Sequence, residues 1–485
     1  EHALERLSLG QVHRKLVFGL CFFHAVIMER RRYGSIGFNV SYRFTPEDLA
    51  VCRRQLRVML NEADNYATTG QGVPYKAIRF ICAGIHYGGH VTDDQDRRLI
   101  DTMARRFICR ELAESKEPYM LASNPVFYVP EAETRAEYID QISRLPMTDA
   151  PEVFGLHENA RIACQQQGSR ALLSGLLEMA PQYSKFSSAS RSSHEDDLLD
   201  EVRRLQENTP GTFDEAQLRR KRTAKRPLGN AVIDSMWVVL ILEVGRYNRL
   251  LSTMAATLTR LESAVRGLIV MSEELEDMSS SLYKNSVPAA WNDVGFLSMK
   301  PLASWTRELG DRVKFFETWV EDGPPVVFWL NSFFFPQGFL SSTIQSYARK
   351  NSMPIDRVTF KFQIMERKDP HDQHIVEPIE GCYTYGYFLE GCRYNQQIQS
   401  LAPSEPREFF FVMPLLWYLP STDWRLPRGV EHSYTAPLYK VPSRRGALST
   451  TGASTNFVTV MDLPSRHDVE TWILAGVAVL LSLSS

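Results

Sequence analysis

In RVTFKFQI, residues 357–364, apolar side chains fall on every second position: Val358, Phe360, Phe362 and Ile364 alternate with Thr359, Lys361 and Gln363. A strand sends successive side chains to opposite faces, so this pattern predicts a strand with one buried face. Upstream of Asp356 the period is that of a helix. Leu16, Leu20, Phe23 and Ile27 step by three or four residues, as do Leu49, Cys52, Leu56 and Met59, and then Leu99, Met103 and Phe107. Downstream, strand-like runs at 382–389, 409–418, 434–440, 456–462 and 471–481 are punctuated by Gly and Pro, which reads as a sandwich or barrel. The fold class is therefore α+β: helices, more helices, then an antiparallel, barrel-like β half.

Local signals place the boundaries. Thr45-Pro46 with Asp48 reads as a capping box with Pro at the first helical position, and Thr92 with Gln95 reads the same way. Residues 1–113 form one helical block. Residues 114–136, with Pro118, Pro125 and Pro130, read as a linker, and 137–356 as a second helical block. Within it Leu258, Leu261, Val265, Leu268, Met271, Leu275 and Met278 suggest a pair of long helices, and Trp291, Trp305, Trp319 and Trp329 mark core. The polar run 183–230 reads as a mobile loop, since it lacks the apolar surface that offsets ordering entropy. Residues 357–485 are the β half, and TWILAGVAVLL at 471–481 reads as its buried terminal strand.

Composition narrows the function classes. Of 485 residues 44% are hydrophobic and 23% charged, which excludes global disorder. Lys and Arg number 55 against 57 Asp and Glu, a net charge of -2, so the protein as a whole is not built to coat nucleic acid or anionic membrane. Seven widely spaced cysteines without a CxxC pair point to a reducing compartment. The terminal apolar run has 11 residues where a spanning helix needs about 20. Glu at position 1, with no signal core after it, is expected of a segment of a longer polypeptide.

Each candidate for chemistry competes with a plainer reading. No Gly-Lys pair occurs, so the phosphate loop GxxxxGK[ST] is absent. VVLILE, ending at Glu243, imitates a strand carrying an acidic ligand, but Met236, Leu240, Val244, Tyr247 and Leu251 fit one buried face of a helix, with Glu243 and Arg246 pairing on its surface. His86 and His90 flank a Gly-Gly turn, and Asp93, Asp94 and Asp96 suit the first turn of a helix better than a metal. His371, Asp372 and His374 crowd one polar loop, too close together for a good site. GxSxG is missing. The one dense basic run, Arg219, Arg220, Lys221, Arg222, Lys225 and Arg226, lacks the interleaved aromatics of a nucleic-acid platform; as an acidic-partner site it competes with a solvated loop end. The expectation is no catalytic, cofactor-binding or metal site.

Several long stretches carry a resemblance: KLVFGLCFFHAVIMERRRYGSIGFNVSYRFTPEDL (15–49), YGGHVTDDQDRRLI (87–100), LPMTDAPEVFGLHENARIACQQQ (145–167), GLIVMSEELE (267–276), PPVVFWLNSFFFPQGFL (324–340), ARKNSMPID (348–356), EGCYTYGYFLEGCRYN (380–395), MPLLWYLP (413–420) and PLYKVPSRRGALSTTGASTNFV (437–458). In this order they resemble the C-terminal end of dynein heavy chains, from the helical lid of the sixth AAA+ module into the dynein C-terminal domain. His90 stands where an Arg is usual and Ala453 where a His is usual, the 183–230 run matches poorly, and VVLILEVGRYNRLL departs around Glu243. The LSTTGxSTNFV ending, with Gly452, Ser454, Thr455 and Asn456, resembles the axonemal type.

The resemblance implies a part of an ATP-driven, minus-end-directed microtubule motor of cilia and flagella. ATP and Mg would bind in upstream modules, and microtubules and complex subunits would bind through other parts of the heavy chain. This segment would have the rest of the AAA+ ring as its intramolecular partner, bracing it and regulating coupling, with no nucleic acid and no membrane. The alternative is a stand-alone, non-catalytic interaction module using the β region or the basic run 219–226.

Overall fold

The computed structural model describes residues 10–67, 73–147, 150–179, 188–224, 231–366, 369–372, 374–422, 432–446 and 454–484. Helix α1 (Gln11–Arg30) sinks Leu16, Leu20, Phe23 and Ile27 into the core at the expected spacing. In α2 (Pro46–Ala67) the Asp48 carboxylate accepts from Thr45 N at 2.8 Å, closing the capping box. A short α3 (Tyr75–Arg79) runs into a π-helical stretch, Phe80–Tyr87. The next helix, α4 (Asp94–Phe107), starts later than Thr92 suggested: Asp93 is the N-cap, accepting from Gln95 N and Asp96 N. A carboxylate there satisfies orphan donors and answers the helix dipole as well.

Helix α5 (Arg110–Glu114) packs on α1. The stretch read as a linker folds back onto these helices, burying Leu121, Phe127 and Val129 around a bridge between Met120 and Tyr128, and leads into α6 (Arg135–Ser143).

The second block begins with α7 (Asn159–Met179). The run expected to be a loop contains α8 (Ser188–Asn208) and α9 (Glu215–Ala224), with Val202, Leu205 and Leu218 buried. Both helices lean on α10 (Ala231–Val265), whose surface supplies the burial that the polar run lacks by itself. Residues 183–187 and 225–230 lie outside the described residues. The expected second long helix is short: the 35 residues of α10 are followed by α11 (Glu273–Tyr283), of 11, because Gly267 turns the backbone at φ 72°. Then come α12 (Ala289–Asn292), α13 (Leu302–Asp322), a first strand β1 (Val327–Trp329) and α14 (Pro336–Lys350), which packs along α10. Trp291, Trp305 and Trp319 are buried as expected; Trp329 is half-buried.

After β2 (Thr359–Ile364) the strands are β3 (Cys382–Tyr385), β4 (Phe388–Glu390), β5 (Arg393–Asn395), β6 (Ser400–Ala402), β7 (Phe410–Val412), β8 (Leu416–Ser421), β9 (His432–Tyr439) and β10 (Phe457–Ser465). The deciding stretch pairs antiparallel with β8, Thr359 opposite Ser421, and the Phe360 and Phe362 rings meet Tyr418 edge-on at 5.3 and 4.9 Å. Among the described residues the strands, with a terminal β11 (Ala478–Leu480), make two open sheets, ordered β1-β3-β8-β2 and β5-β6-β10-β9-β11-β4-β7.

The expected antiparallel barrel is thereby corrected. β1–β3, β6–β10 and β9–β11 are parallel pairs, and such crossovers join distant segments that turn signals do not reveal. The terminal run is corrected too. It divides into α15 (Val469–Leu474) and β11, which lies between β9 and β4. Gly476, at φ 68°, makes the break.

Candidate functional site: a buried joint between the first helices and the terminal sheet

Where the first helical block meets the seven-stranded sheet, charged side chains are buried in a place that hydrophobic packing alone would fill. Arg30, the last residue of α1, is fully buried. Its Nε donates to Gly37 O at 2.9 Å, its Nη2 to Leu474 O at 2.7 Å, and its Nη1 to Phe154 O. One guanidinium thus gathers carbonyls from the turn after α1, from the approach to α7 and from the end of α15. A planar fork suits that task, since its donors point in fixed and different directions. Burial brings Arg30 down to about 9, with Asp96 opposing the shift and Arg444 adding to it.

Arg444 does the reciprocal work from the sheet side. Its Nη2 donates to Glu390 Oε2 of β4 at 2.5 Å and to Gly476 O at 2.8 Å, and its Nη1 reaches Asn39 Oδ1 at 3.5 Å. Burial opposes its charge, but Glu390, Tyr439 and Tyr434 together outweigh that and the pKa rises. Asn39 sits between the two blocks, giving Nδ2–H to Asp93 Oδ1 at 3.0 Å and to Tyr439 Oη at 2.8 Å. The Asp96 carboxylate accepts from the backbone N–H of Asn39 and Val40 at 2.9 and 3.1 Å. Burial, followed by the neighbouring Asp93 charge, pushes Asp96 up to about 7 despite those bonds.

Arg98 of α4 extends the joint along β9. It donates to Thr435 O and Tyr434 Oη, both at 3.2 Å, and its guanidinium lies 5.3 Å from the Tyr434 ring centre. The backbones come very close here. A Cβ on Gly476 would overlap the Ile36 carbonyl oxygen, so only glycine fits, on steric as well as conformational grounds. A cavity of about 30 Å³ remains among Asn39, Asp96, Arg98, Tyr434 and Arg444.

The loop bearing Arg444 is itself clamped. Asn456 Oδ1 accepts from Lys440 N and Val441 N at 2.9 and 3.0 Å, and its Nδ2 returns to Val441 O at 3.2 Å. Thus Asn456, from the STN motif, shapes the loop that presents Arg444. Residues 447–453 lie outside the described residues, and Gly452 and Ala453 with them.

Glu243 lies on a helix, as its spacing indicated, with Leu240, Val244, Tyr247 and Leu251 all buried. It is not on the surface. It is 2% exposed, pairs with Arg246, and accepts from Phe334 N and Phe335 N at 2.7 and 3.3 Å. Those amides lead into α14, so the carboxylate serves the N-terminal end of that helix; burial still raises its pKa against these bonds and Arg246. Sequence offered no sign of the amides 91 and 92 positions away.

The other sequence candidates are dispersed. His90 Nε2 lies 3.0 Å from Asp48 Oδ1 at the start of α2, and the glycines between His86 and His90 are helical rather than a turn. Asp93 and Asp96 stand at the N-cap and in the first turn of α4 as expected, and from there also enter the joint. His371 N and His374 N donate to Asp369 and Asp372 in exposed turns. Of the basic run, Arg220 is exposed on α9, and Lys225 and Arg226 lie outside the described residues. Reasoning from sequence missed Arg30, Asn39, Arg98, Glu390, Tyr434, Arg444 and Gly476. The one available signal was RRRYGSIGFN, whose two glycines interrupt the helical spacing after α1.

Among the described residues no three His, Cys, Asp or Glu side chains are grouped to hold a metal, and no helix is long and apolar enough to cross a membrane. The joint pairs donors with acceptors across two bodies.

Comparison with known proteins places both bodies. Residues 13–160 match the AAA lid domain of the dynein heavy chain, and residues 166–481 match its C-terminal domain. Axonemal dynein heavy chain 1 of Mus musculus is 38% identical over 472 residues, 97% of the present sequence and 11% of that protein. Axonemal dynein heavy chain 12 of Homo sapiens is 37% identical over 473 residues, 97% and 14%. Axonemal dynein heavy chain 3 of Homo sapiens is 36% identical over 472 residues, 97% and 11%. The 485 residues thus span between a tenth and a seventh of the length of these relatives.

Proposed function

The protein belongs to the dynein heavy chain family, and on that footing we propose that it is the last AAA+ lid and C-terminal domain of an axonemal motor. The whole heavy chain would be an ATP-driven, minus-end-directed microtubule motor of the cilium or flagellum. ATP and Mg would bind in modules upstream of this segment, and microtubules and complex subunits elsewhere on the heavy chain. The segment's own part is to brace the ring and to transmit ring closure.

The observation that carries this reading is the joint. Arg30, Asn39 and Arg98 on the lid side, with Tyr434, Thr435, Tyr439, Arg444 and Leu474 on the other, tie the two domains through buried and part-buried bonds, while Asp96 holds the Asn39 backbone from within the lid. A lid so tied would carry the C-terminal domain along as it moves. That is the property a coupling element needs, because coupling requires that two sites bias one shared element.

The test is Gly476→Val in the full-length heavy chain, since the branched side chain would push against Ile36 O. Basal ATP turnover should persist, while microtubule stimulation of turnover and gliding velocity should fall by about fivefold or more. Unchanged stimulation and velocity in a folded, ATP-hydrolysing Gly476→Val motor would refute the bracing role.

A further inference from the structure

The connection between α10 and α11 carries an unusual surface. Leu268, Ile269 and Val270 are 73%, 43% and 88% exposed, three consecutive large apolar side chains at the end of a helical hairpin. The backbone beneath them is well fixed. Gly267 N donates to Ala264 O at 3.0 Å and Leu268 N to Ser263 O at 2.9 Å, with Gly267 left-handed at φ 72°. This is a Schellman ending, in which the residue after the glycine usually folds back on the helix it closes. Here Leu268 projects outward instead.

Arg260 and Glu274 pair across the hairpin at 3.6 Å, and Arg266 pairs with Glu262 at 2.6 Å. These pairs consume the local cations, and the first turn of α11 adds Glu273, Glu274 and Glu276. The result is an apolar tip on a rigid base, with a surplus of negative charge beside it. Contiguous exposed apolar side chains rimmed by polar residues mark an interaction site, whereas apolar residues exposed singly do not.

We propose that this tip is an anchor that inserts into an apolar recess with a basic rim on an upstream part of the same heavy chain. The inference rests on the reading of the protein as a motor segment and adds to it the point of attachment. Two observations favour an intramolecular occupant. The relatives hold about nine tenths of their length outside the matched region, so the largest surface permanently close to the tip is that of the same polypeptide. The charge beside the tip also selects a cationic rim, which rules against a second copy of the tip itself.

The experiment places the photoreactive residue p-benzoylphenylalanine at position 268 of the full-length heavy chain in its native complex, and sequences the crosslinked peptides. The expected product joins position 268 to a heavy-chain peptide upstream of this segment, rich in apolar and basic residues. A second arm adds Val270→Asp, which should lower crosslink yield at least tenfold while basal ATP turnover shows the ring intact. Crosslinks to another polypeptide or to a second heavy chain, an absence of crosslinks, or a yield unmoved by Val270→Asp would each overturn the anchor. None of these results bears on the Gly476→Val coupling test, so the two readings fail separately.

Discussion

Replacing Arg30 by leucine should loosen the whole joint, and the structure sets the size of the effect. Three carbonyls, of Gly37, Phe154 and Leu474, would lose a charge-assisted donor, and a fourth, of Ile36, a longer bond at 3.4 Å. An unsatisfied buried acceptor costs about 1–3 kcal/mol, so the three shorter bonds give about 3–9 kcal/mol before relaxation. Two effects reduce it. Leucine no longer carries a charge whose burial is unfavourable, as the lowering of Arg30 to about 9 indicates, and some carbonyls will relax toward water. The net expectation is about 3–5 kcal/mol, the range for breaking a buried charged network. Arg30→Lys should lie between, since a lysine ammonium lacks the fixed fork.

Urea unfolding of the 485-residue protein, followed by tryptophan fluorescence, reads the shift in midpoint. A further comparison isolates the mechanism. In a truncated form ending at Glu470, Leu474 O is gone, so the effect of Arg30→Leu should be smaller there than in the intact form, a coupling expected only of groups that touch. If Arg30→Leu shifts stability by less than about 1 kcal/mol, or shifts both forms equally, the account of Arg30 as a three-way tie is wrong.

Other expectations follow from the same packing. Asp96 titrates near 7 when folded, against 3.8 for an ordinary aspartate; the folded state therefore binds the extra proton, and its contribution to stability should decline as pH rises from about 4 to about 7, then level off. Asp96→Asn should flatten that part of a stability-against-pH curve, and an unchanged slope would exclude Asp96, beside Asp93, Tyr42, Arg30 and Arg444, as its source. Val477→Asp places a charge at a 2% exposed site beside β11 and should lower stability by several kcal/mol, whereas a melting temperature equal to the parent's would contradict the burial. Hydrogen exchange should show protection across 200–208, the part of α8 that holds the buried Val202 and Leu205; exchange there at the rate of an unstructured peptide would restore the loop reading. Titration calorimetry with MgATP should show no saturable binding to the 485 residues, because they contain no phosphate loop, and micromolar affinity would refute that.

What could be read in advance was periodicity. Leu16 to Ile27, Leu99 to Phe107 and Val358 to Ile364 each occupy one face, so the spacing carried the element type. Pairing over long distances was not legible. TWILAGVAVLL is apolar throughout, and such a run reads alike as helix or strand until Gly476 is known to be left-handed. In α8 the buried Val202 and Leu205 are diluted by acids and serines, so its amphipathic face emerges only against α10.

The joint was hidden for a different reason. Arg30 stands in ERRR, a run that looks like solvated surface, and Asn39 in an unpatterned turn. Their partners lie 444 and 400 positions away, and nothing local in a sequence records an acceptor so remote.

The bond from Arg30 to Leu474 has a consequence for synthesis on the ribosome. The acceptor is made 444 residues after the donor, a delay of about 20–90 s at ordinary elongation rates of about 5–20 residues per second. Throughout that interval the finished lid waits with a guanidinium and an open backbone groove that nothing yet fills. A stop codon as late as position 470 would leave it waiting indefinitely. The residues after that position complete the first of the two domains to be made, so a polypeptide truncated just before them lacks a bond partner for the residue at its opposite end.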